Sequence, residues 1–321
     1  MGLSQDLAMS ATETSSASCS QPGILNSPPE LGCYLLLNVQ EQTPQDHALS
    51  AIRSTSLCKP IMDGALIVGL GARLMQGADS AIGYKAYDAS HHLSPPVPEN
   101  QADLALWLCG EDRGELLHLS HSVIDALCAQ FSVVEATHSF TFRRQNTASG
   151  AIAHDLSGFE DGTENPSGEN AWHTALIQSP TAHLNGGSLW TLQRWQHDFK
   201  WLSRAKVKTK EQIIGRSLKD NHELPDNLAC AHILRTEQES FSPEAHMLRR
   251  SMPWCDDGLN GGLMFSCFAH SLHPFEAQLK RMYGWEDGVQ DGLFQFPKIL
   301  GTGYYWCPPI TMDGKPNVVI S

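Results

Sequence analysis

The order of strand-like and helix-like segments places this chain in the α+β class, as two ferredoxin-like halves. Each half follows a duplicated β-α-β-β-α-β pattern of antiparallel sheet with helices. Three observations carry that expectation. The first half alternates short apolar runs with amphipathic stretches, the second half has similar parts after an acidic turn, and 321 residues with 41% hydrophobic content suffice for two cores. The expected divisions are a disordered tail over 1–30, an N-terminal domain over 31–150 and a C-terminal domain over 151–321.

The tail is rich in Ser, Thr, Ala and Pro and contains no apolar run long enough for a signal-peptide core. "CYLLLNV" (33–39) and "GALIVGLG" (64–71) have strand length and flank a short helix. "DLALWLCG" (103–110) is a third strand. Leu116, Leu119, Val123 and Leu127 then recur at helical spacing, and "VVEATHSFTF" alternates as a fourth strand. In the second half "GGSLWTLQRW" is a strand candidate, and "TKEQIIGR" predicts a helix with Thr209 and Gln212 spaced as a capping box. "AHILRTE" (231–237) and "GGLMFSCFAH" (261–270) alternate like strands. "PFEAQLKRMYG" opens a helix with Pro274 in the first turn and stops at Gly284.

A formal net charge of −13 creates a negative field that disfavours nucleic acid and anionic lipid as partners. No stretch approaches the roughly 20 apolar residues of a membrane-spanning helix. The nine cysteines are scattered without a CxxC pair. That spacing argues for a reducing, cytoplasmic setting and against a disulfide framework, and the absence of CxxCH excludes covalent c-type haem.

The chemistry concentrates in "SGFEDGTENPSGEN" (157–170), where Glu160, Asp161, Glu164 and Glu169 stand among glycines and Pro166 that work against regular structure. Its order breaks the EF-hand pattern, which argues against calcium. A solvated loop and a stiff functional turn both remain as readings. Among fifteen histidines no spacing completes a zinc site. His232 lies among small and apolar residues, as either an iron-binding imidazole or a core histidine would. Arg249 and Arg250 precede Pro253, as surface charge or as a cation for a developing oxyanion.

"GFEDGTENP" contains Gly-x-x-Asp-Gly and resembles the signature of dye-decolourising peroxidases, in its extended form the bacterial class B or P branch. "GGSLWTLQRWQHDFKWL", "IIGRSLKDN", "AHILR", "RRSMPW", "GLMFSCF", "FEAQLKRMYG" and "DGVQDGLFQF" with "TGYYW" follow in the family's order. The similarity runs from about residue 153 to 306. The resemblance implies a dimeric α/β-barrel-like superfamily fold and non-covalent haem b in the second half. It also implies a homo-oligomer that takes hydrogen peroxide and small organic reductants.

Residue by residue, the resemblance implies Asp161 and Arg249 as catalytic groups, His232 as the proximal haem-iron ligand and Asp291 as its hydrogen-bonding carboxylate. Arg216 is expected at a haem propionate and Glu164 near the haem edge, with Ser251 standing where some relatives carry Asn. Glu276 is expected near the imidazole pair. An aspartate beside an arginine is expected to have a pKa at or below about 3.9, favouring activity at acidic pH. The alternative reading is a haem-handling protein that stores, transfers or strips haem.

Overall fold

The computed structural model describes residues 20–75, 82–88, 94–147 and 150–318. In chain order the strands and helices are β1 (Leu31–Val39), α1 (Gln45–Ile52), α2 (Thr55–Met62), β2 (Leu66–Leu70), β3 (Leu104–Gly110), α3 (Arg113–Leu127), β4 (Phe131–Phe140), β5 (Phe142–Thr147), β6 (Gly150–His154) and β7 (Glu160–Asp161). There follow α4 (Gly168–Ala175), β8 (Ser188–His197), α5 (Phe199–Arg204), α6 (Val207–Ile214), α7 (His232–Arg235), β9 (Leu248–Arg249), β10 (Met252–Cys255), β11 (Gly261–Ala269), α8 (His273–Met282) and β12 (Pro297–Cys307).

Eight strands close into an antiparallel barrel in the order β10-β4-β1-β3-β2-β12-β8-β11, with β11 pairing back onto β10. The first-half strands stand as β4-β1-β3-β2 and the second-half strands as β12-β8-β11-β10, the same relative order. The registered strand pairing between the halves is short at both seams. Trp306 registers with Leu70 at one, and Trp254 with Ser139 at the other.

Alternation along the strands explains two cores, because successive side chains point to opposite faces. Tyr34, Trp107, Trp190, Trp254, Phe268 and Tyr305 fill one cluster and stack closely, Tyr34 on Trp107 at 5.4 Å and Trp190 on Phe268 at 5.6 Å. The intervening residues, such as Leu35, Leu37, Leu106 and Leu108, meet α1, α2 and α3 through Leu49, Ile52, Ile61 and Leu127. Strands buried on both faces need near-continuous apolar sequence, which is why "LLL" and "LIV" runs mark β1 and β2.

Several local expectations change. Residues 20–30 of the expected tail pack on the barrel, with Gln21 and Ile24 fully buried, while 1–19 lie outside the described residues. Gln21 Nε2 donates to Val68 O at 2.9 Å and Pro308 O at 3.0 Å, and its Oε1 accepts from Val68 N at 2.8 Å. The helix expected from Thr209 starts at Val207 after Lys206, so the Thr209/Gln212 capping box is not used. The segment 231–237 is not a strand. Ala231 and Arg235 are buried four residues apart, a helical period, and the N–H groups of Leu234 and Arg235 turn back to Ala231 O. Among the described residues no helix is long and apolar enough to cross a membrane, and all eight described cysteines are free.

Candidate active site

The acidic turn is held at several points. Asp155 opens it: its N–H donates to Phe159 O and its C=O accepts from Gly158 N, both at 2.9 Å. The Asp155 carboxylate accepts from Ser157 N at 2.8 Å and from His197 Nε2 at 2.8 and 3.0 Å, tying the turn to the end of β8. The chain then adds Glu160 and Asp161 to β6 as a two-residue strand, a pairing that the glycines and proline had argued against. Gly162 has φ of +76°, and a Cβ there would lie 2.9 Å from Asn165 Nδ2. Only glycine meets both conditions without strain.

Asn165 fastens the far side of the turn. Its Oδ1 accepts from Arg249 N at 2.8 Å and its Nδ2 donates to Arg249 O at 3.0 Å. One carboxamide thus joins the segment of Asp161 to the strand β9 that carries Arg249. Buried Gln238 adds a third fastening, donating to Glu164 O at 3.2 Å.

His232 opens α7, and its Nδ1 lies 2.8 Å from Asp291 Oδ2. The other oxygen of Asp291 accepts from Leu293 N at 2.8 Å, and the carboxylate is fully buried. A carboxylate accepts, so the hydrogen bond engages the Nδ1–H of the ring and leaves Nε2 as the nitrogen turned to another partner.

Asp161, Arg249, His232, Arg216 and Glu164 all line one cavity of about 360 Å³. Its walls are otherwise mixed, with an apolar part that includes Trp195, Phe265, Phe275 and Leu293 and a polar part that includes Gln193, His197 and Glu223. This is the size and character of a small-molecule site. Asp161 does not behave as its neighbour Arg249 alone suggested. Burial pushes its carboxyl pKa above the ordinary value of 3.8; Arg249 opposes the shift, and the negative charge of Asp155 adds to it. The expected low value is therefore corrected upward, because desolvation outweighs the guanidinium. Asp155 shows the reverse balance. Burial raises its carboxyl, but the hydrogen bond and charge of His197, with the N–H of Ser157, bring it below the usual value.

Arg216 is mostly buried, and its Nη2 reaches Glu164 at 3.0 Å and Glu223 at 2.8 Å, while Nη1 donates to Asn221 O at 3.0 Å. Two expected residues lie elsewhere. Ser251 does not line the cavity; its hydroxyl accepts from Ser266 N at 3.4 Å. Glu276 is also outside the lining and pairs with Lys85 at 2.7 Å. Asp155, His197, Asn165 and Gln238 were missed. His197 ends a strand without a motif to mark it, and each of their pairings is made by topology across 42 to 84 positions.

The family model described as "Dyp-type peroxidase, C-terminal" matches residues 152–312, half of the chain and the part that holds this cavity. The chain belongs to the Dyp-type peroxidase family. A dye-decolorizing peroxidase of Mycolicibacterium paratuberculosis is 26% identical over 230 residues, 70% of this chain and 62% of the relative. The matched region thus spans less than two thirds of that relative's length. A solved dye-decolorizing protein from V. cholerae superposes with a TM-score of 0.77 at 25% identity, covering 90% of this chain and 97% of the other. A DypB variant from Rhodococcus jostii RHA1 in complex with heme gives a TM-score of 0.73 at 23% identity, covering 89% and 94%. The barrel is accordingly the Dyp-type scaffold, and the family match covers the turn, α7, β9 and the loop of Asp291.

Proposed function

We propose that the chain is a haem b peroxidase that reduces hydrogen peroxide and oxidises dyes, phenols or other small reductants by one-electron steps. One observation carries this reading. A histidine whose Nδ1 is backed by a buried carboxylate shares one cavity with Asp161 and with Arg249, whose charge acts on that aspartate. That donor set fits haem: His232 would supply the iron ligand, the apolar part of the wall would suit the macrocycle, and Arg216 would meet a propionate by giving up its contact with Glu164 or Glu223. Bound there, haem would supply the iron at which peroxide is reduced.

The chain's own groups have separable tasks. Asp291 holds the Nδ1 proton of His232 and so fixes the tautomer and strengthens Nε2 as a donor. Ionised Asp161 takes a proton from hydrogen peroxide and returns it to the departing oxygen as water. Arg249 favours the ionised form of Asp161 and stabilises negative charge on the leaving oxygen. Glu164 helps hold Arg216 at the cavity edge. The shared strand order of the two halves supports reading them as a duplicated ferredoxin-like unit, with residues 151–321 as the haem-binding one. The free cysteines support a cytoplasmic setting, and the family resemblance a homo-oligomer.

The test is haem reconstitution followed by turnover. A strong Soret band and sustained oxidation of a phenol by hydrogen peroxide are expected. A band that instead decays with stoichiometric iron release and no turnover supports the haem-handling alternative.

A further inference from the structure

The segment that delivers Asp291 to His232 is fastened by a second, parallel bridge. Arg235 is buried, with 5% of its surface exposed. Its Nη1 and Nη2 donate to the two oxygens of Asp287 at 2.7 and 2.8 Å, and Nη2 and Nε also donate to Arg281 O at 2.7 and 3.3 Å. His232 and Arg235 lie three residues apart on α7, and their partners Asp291 and Asp287 lie four apart in the loop after α8.

That loop turns tightly. Gly284 has φ of +71°, and a Cβ there would stand 2.9 Å from the backbone of Val289. Its far end is tied by Asp291 N to Met282 O and Gly292 N to Cys230 O, both at 2.7 Å. Its apex is tied by Asp287, whose Oδ1 also accepts from Val289 N at 2.9 Å. A buried guanidinium is costly unless fully paired, and its planar fork matches a carboxylate in a way that an ammonium does not.

We propose that Arg235 is a positioning residue: by clamping Asp287 it holds the loop so that Asp291 stays against Nδ1 of His232, and it thereby sets how strongly His232 donates to iron. The inference rests on the haem reading above. It concerns a residue that lies outside the cavity lining and acts only through the His232–Asp291 pair. Loss of the clamp lets Asp291 withdraw, and a weaker imidazole donor stabilises the ferric state less.

The experiment is a spectroscopic redox titration of the haem-loaded, full-length protein, comparing wild type with Arg235→Lys, Asp287→Asn, Asp291→Asn and the Arg235→Lys/Asp291→Asn double variant. Asp287→Asn alters the half-exposed partner and keeps the question answerable if Arg235→Lys folds poorly. The ferric/ferrous potential is expected to rise in Arg235→Lys and Asp287→Asn, in the same direction as in Asp291→Asn. The double variant is expected to move no further than Asp291→Asn alone. Unchanged potentials in Arg235→Lys and Asp287→Asn, or additive shifts in the double variant, overturn the proposal. So does an Asp291→Asn variant that leaves the potential unmoved. A wild type that takes up no haem removes the functional reading, and this inference with it.

Discussion

In the role proposed for it, Asp161 faces opposed demands: a base must be ionised, and burial resists ionisation. Its pKa is raised in the folded state, so between 3.8 and that higher value the folded protein binds more protons than the unfolded chain. Stability therefore falls as pH rises through that window, and the cost persists at neutral pH. Asp161→Asn is expected to raise the thermal midpoint at pH 7, with the gain disappearing below pH 3.8, while slowing the reaction with peroxide about 10²–10⁴-fold. A lowered midpoint at pH 7 would contradict this balance. Because Asp155 adds to the shift, Asp155→Asn should move the acid limb of the peroxide reaction to lower pH in a stopped-flow profile. An unmoved limb would remove Asp155 from that role. Asp161, Glu164, His232, Arg249 and Asp291 were legible as residues, because they stand in contiguous motifs. The direction of the Asp161 shift was not, since the family resemblance implies the neighbouring arginine but not the burial that outweighs it.

At the scale of elements, the turn 155–167 works because it is pinned at both ends, to β8 through His197 and to β9 through Asn165. Asn165→Ala leaves an N–H and a C=O of Arg249 without their partner, at a cost of about 1–3 kcal/mol. An unfolding free energy lowered by that amount, together with a slower peroxide reaction at unchanged haem absorption, is expected. Loss of stability with an unchanged rate would make Asn165 only structural. The strands of the barrel were visible because double-sided burial writes long apolar runs. The single turn α7 was misread as a strand because four residues contain too little of a helical period to outvote alternation. Its identity depends on Ala231 and Arg235 facing inward together.

For the whole molecule, the two halves meet at seams of one registered pair each, and Gln21 reinforces one of them with three hydrogen bonds. Gln21→Ala should cost about 1–3 kcal/mol by leaving Val68 N–H unsatisfied. Unchanged denaturant resistance would show that the seam does not need this strap. Composition gave no hint of it, because a glutamine in a Ser- and Pro-rich stretch reads as solvated until the barrel closes over it. The fold places residues of β8, β9 and the segment after α8 around one cavity, lined by Asp161 and His232, and Asp291, 130 positions after Asp161, reaches it through His232. The most direct test of that site is rapid mixing of the haem-loaded protein with one equivalent of hydrogen peroxide. Wild type is expected to give a fast, stoichiometric change in the Soret band that a phenol then reverses, and Asp161→Asn the same change at least about 100-fold more slowly. No change in wild type, or equal rates in the two proteins, would contradict it.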